Sequence, residues 1–75
     1  MVKQEERKEA TRCLHSYRFW HQERRAHQFH AGELERQDLL ERAARFQGFA
    51  DEASEKLERA RVRYIELTGV EPSLW

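Results

Sequence analysis

LLERAARFQGFADEASEKLERARVRYIEL, residues 39–67, has the most regular apolar pattern in the chain. Its small and apolar residues recur at alternating steps of four and three residues. They are Leu39, Ala43, Phe46, Ala50, Ala53, Leu57, Ala60, Tyr64 and Leu67. This spacing is the heptad seam of a helix that packs lengthwise against another helix. We therefore predict one long helix here, with its charged residues on the outer side.

A second stripe at helical spacing precedes this helix and supplies its packing partner. It consists of Ala10, Cys13, Leu14, Tyr17 and Trp20, and it continues less regularly through Arg24 and His27 to Ala31. The four alanines of the seam need large side chains opposite them, because protein interiors are close-packed. In an antiparallel pair, Tyr17 and Trp20 can lie over Ala50, Ala53 or their neighbours. The sequence therefore predicts an all-α fold, an antiparallel helical hairpin of two long helices with a coiled-coil-like seam.

Glycine and proline mark the expected ends of the helices. Gly32 suits a helix stop, and Gly69 with Pro72 suits a second one. We predict a single domain over residues 1–75, with a first helix over about 3–30, a turn at 31–32, a second helix over about 33–68 and a tail at 69–75. We favour a continuous second helix across Gly48 over a break there that would make a three-helix bundle, and over one long unbroken helix that dimerises. The tail is expected to fold back onto the hairpin rather than extend as a docking segment.

Composition narrows the class of protein. The chain has 75 residues, of which 37% are charged and 39% hydrophobic, so we expect it to fold with a solvated helical surface. The single cysteine excludes an internal disulfide and indicates a cytoplasmic protein. No apolar run approaches the roughly 18 residues that span a bilayer, so we expect no membrane partner.

The stretch HSYRFWHQERRAHQFH, residues 15–30, contains all four histidines, four aromatic residues and three arginines around one acid, Glu23. On a helix, one face of this stretch points away from the predicted seam. Its residues are His15, Phe19, Gln22, Ala26, Phe29 and His30. Two exposed phenylalanines are too apolar for an ordinary solvated face, so we expect a partner to cover it.

Two kinds of protein partner remain open for this face. Two hairpins could pair into a four-helix bundle, which would help so short a chain reach useful stability. Alternatively, the face docks on a larger protein, with Phe19 and Phe29 as anchors and Arg12, Arg18 and Arg25 as the polar rim. We interpret the chain as a small non-catalytic regulator or inhibitor that binds a larger protein, in a form that could also be a homodimer.

Nucleic acid is the alternative class of partner. The first half of the chain interleaves aromatic rings with the cations Arg7, Lys8, Arg12, Arg18, Arg24 and Arg25. Against this, the net charge is zero and the pI is about 6.9, well below that of a typical nucleic-acid-binding domain. The chain resembles the plasmid repressor-of-primer family in its predicted shape and in its opening MVKQE, residues 1–5. This resemblance implies only that a dimeric helical hairpin can bind RNA.

Metal binding and catalysis are less favoured. Glu23, His27 and His30 share one face of the predicted helix and form a weak candidate ligand set, which would still require a fourth ligand from the second helix. Cys13 lies on the predicted seam, where a thiol is usually inert, and no phosphate-binding glycine loop is present. We therefore expect no enzymatic activity, no cofactor and no metal.

Overall fold

The computed structural model describes residues 4–74, which form two antiparallel α-helices. Helix α1 spans Gln4–Arg36 and helix α2 spans Leu40–Thr68. The two helices pack along their whole length into a rod of 55 × 19 × 15 Å. The predicted all-α helical hairpin is therefore confirmed.

The core is a seam of small side chains between the helices. Its buried residues are Ala10, Ala31, Ala43, Ala50, Ala53, Leu57 and Ala60. Within residues 4–74, no large side chain is fully buried. Tyr17, Trp20 and Phe46 are only half-buried. The helices thus meet mainly through alanine methyl groups and Leu57, and the bulkiest residues keep part of their surface exposed.

The turn between the helices lies at residues 37–39, and the predicted turn at 31–32 is wrong. Helix α1 continues through Gly32 because its seam continues: Ala31 is buried and Leu34 is half-buried. A glycine inside a helix costs only about 1 kcal/mol relative to alanine, which the continued packing offsets. The first helix is therefore six residues longer than predicted at its end (36 against 30).

The end of α1 is capped by a Schellman motif with aspartate in the place that glycine usually takes. The backbone N–H of Leu39 donates to the carbonyl of Leu34 at 2.9 Å, and that of Asp38 donates to the carbonyl of Glu35 at 3.0 Å. Asp38 has a φ of 59°, a left-handed conformation that aspartate tolerates better than most residues. This local geometry reverses the chain.

Helix α2 runs without interruption through Gly48, as predicted. It ends at Gly69, whose φ is 71° and whose N–H donates to the carbonyl of Ile65 at 2.7 Å. Glycine adopts this left-handed conformation without a Cβ penalty, so the predicted stop is confirmed.

The tail folds back onto the hairpin, again as predicted. Pro72 is buried, and the carbonyl of Ser73 accepts a hydrogen bond of 2.9 Å from Arg18 Nε. Arg61 holds Glu71 with two hydrogen bonds, of 2.6 Å and 3.0 Å. The prediction for Trp75 lies outside the described residues.

Candidate functional site

The hairpin has two long sides on which both helices are visible, and the tail covers one of them. Residues two apart on a helix point about 200° apart, so Arg18 and Trp20 lie on opposite sides, as do Arg61 and Arg63. We call the side of Arg18, Arg61 and the folded tail the covered flank. We call the other side the open flank. On each helix, three residues spaced seven apart lie on it: Cys13, Trp20 and His27 on α1, and Phe49, Lys56 and Arg63 on α2.

Three contacts across the helices follow one another along the open flank. Glu9 Oε1 accepts a hydrogen bond from Arg63 Nε at 2.7 Å. Further along, Lys56 Nζ lies 4.3 Å from the ring centre of Trp20. Beyond it, the rings of His27 and Phe49 have centres 5.5 Å apart. The open flank is therefore polar at the end where α1 begins and aromatic toward the turn.

The aromatic part is a cluster of five rings, which we call the aromatic cluster: His27, Phe29, His30, Phe46 and Phe49. Phe46 and Phe49 meet edge to face at 5.8 Å, and His30 packs on Phe46 at 5.4 Å. Phe29 joins the cluster through His30 at 5.9 Å. Phe49 remains 48% exposed and Phe29 65% exposed, so the cluster is a surface feature.

The polar part is a groove of about 610 Å³ between the helices, which we call the basic groove. Its charged lining residues are Arg12, Lys56, Arg59 and Arg63 against the single acid Glu9. Trp20 and Ala60 also line it. Four cations against one acid give the groove a net charge of +3, although the whole chain is neutral.

The charges of the groove differ in how they are compensated. Arg63 donates to Glu9 and also to Glu66, and this hydrogen bonding lowers the pKa of Glu9 and raises that of Arg63. By contrast, no ion pair formed within residues 4–74 includes Arg12, Lys56 or Arg59. The groove therefore has cations left to attract an anionic group.

The thiol of Cys13 lies in the basic groove. Burial and the neighbouring carboxylate of Glu9 both raise its pKa. A raised pKa keeps the sulfur as a thiol near neutral pH, and the thiolate is the nucleophilic form. Near neutral pH, Cys13 is therefore present mainly as the less nucleophilic thiol.

The predicted partner-binding residues on the outer face of α1 are all exposed to solvent. These are His15, Phe19, Gln22, Ala26, Phe29 and His30. Of the predicted rim, Arg12 and Arg25 are also exposed, whereas Arg18 is half-buried and holds the tail. Phe19 contacts Trp20 edge to face at 4.8 Å, so the outer face is continuous with the open flank. That a partner binds this face stays a prediction.

The three candidate metal ligands do not converge. His27 Nε2 lies 3.4 Å from Glu23 Oε2, but the His30 ring packs against Phe46. His27 Nδ1 is buried and has no hydrogen-bond partner among the described residues. In residues 4–74, no group of three histidine, cysteine or acidic side chains is arranged to hold a metal ion.

The contribution of α2 to this surface was not predicted from the sequence. Phe46 was assigned to the seam, and Phe49 and Lys56 were given no role. A signal was present, because Phe49, Lys56 and Arg63 repeat every seven residues beside the seam. A repeat of seven places residues on one helix face, so this series predicts a second contact stripe.

Comparison of the chain with models of known protein families, with curated proteins and with solved structures finds no match. Within residues 4–74, neither helix has an apolar stretch of the length and hydropathy that a membrane span requires.

Proposed function

We propose that this chain is a small, non-catalytic protein-interaction module of the cytoplasm that regulates or inhibits a larger protein by docking on it. The proposal rests on one observation: small side chains form most of the buried core, while two phenylalanines are exposed. Phe19 is 51% exposed and Phe29 is 65% exposed, while the buried core is made of alanines and Leu57. Large apolar patches on a small protein usually mark a contact with another molecule.

The exposed rings have the arrangement of an interface core. Aromatic residues are the commonest anchors of protein contacts, and a polar rim around them excludes water. Here Phe19 and Phe29 lie on the outer face of α1, and each contacts a ring of the open flank or its border. Arg12 and Arg25 flank them. A partner that covers both regions would bury one continuous surface.

A role in binding rather than catalysis fits the shape of the surface. Enzymes need a concave site that excludes water, and the basic groove is open along its length. Homodimerisation is compatible with the proposal, because two hairpins could pack into a four-helix bundle while other exposed residues meet the target.

The proposal is tested with the double variant Phe19→Asp/Phe29→Asp and the control Leu40→Asp/Val70→Asp. Leu40 is 65% exposed and Val70 60% exposed, so the control adds the same two charges at similarly exposed positions outside the outer face of α1 and the basic groove. Tagged proteins are used to capture partners from an extract of the source cell, and sedimentation reports the mass of each protein alone. We expect the double variant to keep its helicity and to lose a partner that the wild type and the control both retain.

The same experiment can contradict the proposal. If the double variant unfolds, the two rings belong to the core of the molecule and the assigned surface is wrong. If all three proteins capture the same partners with equal yield, the surface is not an interface.

Nucleic-acid binding is the second candidate, and one observation favours it. A shallow groove of about 600 Å³ on the outer face of α1 is lined by Gln4, Arg7, Lys8, Thr11, Arg12 and His15. It contains three cations and no acid. Titration with single-stranded RNA at two salt concentrations tests this candidate, because binding through phosphates weakens steeply with added salt. A failure to bind at low salt would remove it.

A further inference from the structure

We propose that the basic groove of the open flank binds an acidic amphipathic helix of the partner protein. This inference rests on the proposed function, and it names the chemistry of the segment that the partner presents.

The shape of the groove suits a third helix. The groove runs between two antiparallel helices, and Ala60 forms part of its lining while Trp20 forms a wall. Helices pack by placing the ridge of one in the groove between others, and small residues on the floor let an incoming helix approach closely. Phe49 and the rest of the aromatic cluster then meet its apolar side.

The charge of the groove selects an acidic ligand. Of its four cations, Arg12, Lys56 and Arg59 take part in none of the ion pairs within residues 4–74. An incoming helix with glutamate or aspartate beside its apolar stripe would pair with them. Complementary charges mainly accelerate association and exclude wrong partners, so the groove discriminates against neutral and basic helices.

The same charge argues against a second copy of this chain on the open flank. Two open flanks brought face to face would oppose either two grooves that each carry a net charge of +3, or each groove and the aromatic cluster of the other copy, which supplies no acid to its cations. Like charges across an interface are unfavourable. The occupant is therefore a different chain.

The ring geometry argues against nucleic acid as the occupant. Bases bind single-stranded-nucleic-acid proteins by stacking on free, flat ring faces. Here Lys56 already lies over Trp20, and Phe19 meets that indole edge to face at an interplanar angle of 78°. Phe46 and Phe49 are perpendicular to each other. Rings packed on one another in this way offer apolar edges to a protein helix rather than platforms to bases.

The test uses the 75-residue chain with the substitution Trp75→Phe, so that Trp20 is its only tryptophan and its fluorescence reports on the groove. The acidic probe is a synthetic peptide of about three heptads with leucine at the two seam positions and glutamate on the flanks of the stripe. The basic probe has lysine in place of glutamate. The third probe is single-stranded RNA of about 20 nucleotides. We expect only the acidic probe to shift the Trp20 emission, with an affinity that falls as salt is added.

Charge-reversal variants locate the binding. Lys56→Glu/Arg59→Glu is expected to weaken binding of the acidic probe by about tenfold or more, since two attractive contacts become repulsive. The matched control Lys8→Glu/Arg36→Glu changes the charge equally on exposed positions outside the groove and is expected to change binding by less than about threefold. The conservative pair Lys56→Arg/Arg59→Lys should bind like the parent. Circular dichroism establishes that each variant is helical.

Several results would overturn the inference. One is preferential binding of the RNA or of the basic probe. Another is loss of acidic-probe binding in the control pair but not in the groove pair, which would move the site out of the groove and leave the proposed function intact. A dimer that Lys56→Glu/Arg59→Glu dissociates would make a second copy the occupant. The proposed function itself fails separately, through unchanged capture by Phe19→Asp/Phe29→Asp.

Discussion

The two flanks of the hairpin are built from the same two helices, yet only one of them is closed by the chain itself. On the covered flank, Arg61 and Arg18 hold the tail, and Pro72 is buried. On the open flank, Phe49 remains 48% exposed. An alanine-rich seam thus brings two helices together while Phe49 and other large residues stay exposed beside it. A few residues of tail cover one flank, and the other flank remains exposed.

The largest expected effect on stability comes from enlarging a seam residue, in comparison with truncating its neighbour on the open flank. Ala50 is 1% exposed, so Ala50→Leu inserts three heavy atoms where the helices touch and should cost about 1–3 kcal/mol of unfolding free energy. Phe49→Ser removes a half-exposed ring and should cost roughly 1 kcal/mol or less. Urea denaturation measures both. A greater loss at Phe49 than at Ala50 would mean that the open flank is part of the core.

The next effect concerns the glycine that begins the tail. Gly69 has a φ of 71°, so Gly69→Ala should lose roughly 1 kcal/mol of unfolding free energy through backbone strain. Gly48 lies inside α2, and a Cβ added there would meet no other atom within 4 Å, so Gly48→Ala should gain about 0.5–1 kcal/mol. Thermal and urea unfolding would give the two signs. Equal signs would contradict the assigned roles of the two glycines.

A smaller effect is expected on hydrogen exchange in the tail, which should depend on the ion pair of the covered flank and not on that of the open flank. Arg61→Ala removes both hydrogen bonds to Glu71, so the tail should be released and its amides should exchange hydrogen several-fold faster. Arg63→Ala removes the pair with Glu9 on the open flank and serves as the control, with little change in overall stability expected from either exposed pair. Faster tail exchange in the Arg63 variant would contradict the division into two flanks.

The smallest effect is a pH dependence on the side away from the open flank. Burial, then the charges of Arg24 and Arg25, lowers the pKa of His21, whose Nδ1 lies 3.4 Å from Arg24 Nη2. The folded state thus disfavours the protonated imidazole, and the unfolded chain binds that proton more readily. The stability from the neutral ring is present above pH about 6.5 and is lost as the pH falls. His21→Gln should therefore flatten the decline in urea-unfolding free energy between pH about 7.5 and 5.5, and an unchanged slope would contradict this.

The seam was predictable because it depends on helix geometry alone. A helix turns about 100° per residue, so alternating steps of three and four mark one face whatever the partner is. Ala43, Ala50 and Ala53 were assigned in this way, and all three are buried. The continuous α2 across Gly48 followed from the same regularity.

The turn was not predictable from the usual signals. Those signals favour glycine at the left-handed position of a helix end, and Gly32 was the only glycine near the middle of the chain. Asp38 takes that conformation instead, at an energetic cost that the neighbouring contacts compensate. The packing of Leu34 against its surroundings, which a propensity rule does not include, carries α1 beyond Gly32.

The open flank was not predicted because the turn was predicted at the wrong position. Which residue of α2 lies beside His27 or Trp20 depends on where the chain reverses, and the reversal occurs about six residues later than predicted. With the observed turn, His27 meets Phe49 and Trp20 meets Lys56. The outer face of α1, which needs no knowledge of the partner helix, was identified as exposed without this information.

Because Cys13 lies in the basic groove, the rate at which its thiol is alkylated can report whether the groove is occupied. Cys13 is the chain's single sulfhydryl and a wall of that groove, and its raised pKa leaves little reactive sulfur anion near neutrality. Alkylation by a small uncharged reagent should therefore be slow in the free protein, and slower still whenever another molecule fills the groove. Mass spectrometry of the alkylated fraction against time would then follow occupancy of the groove without any introduced label.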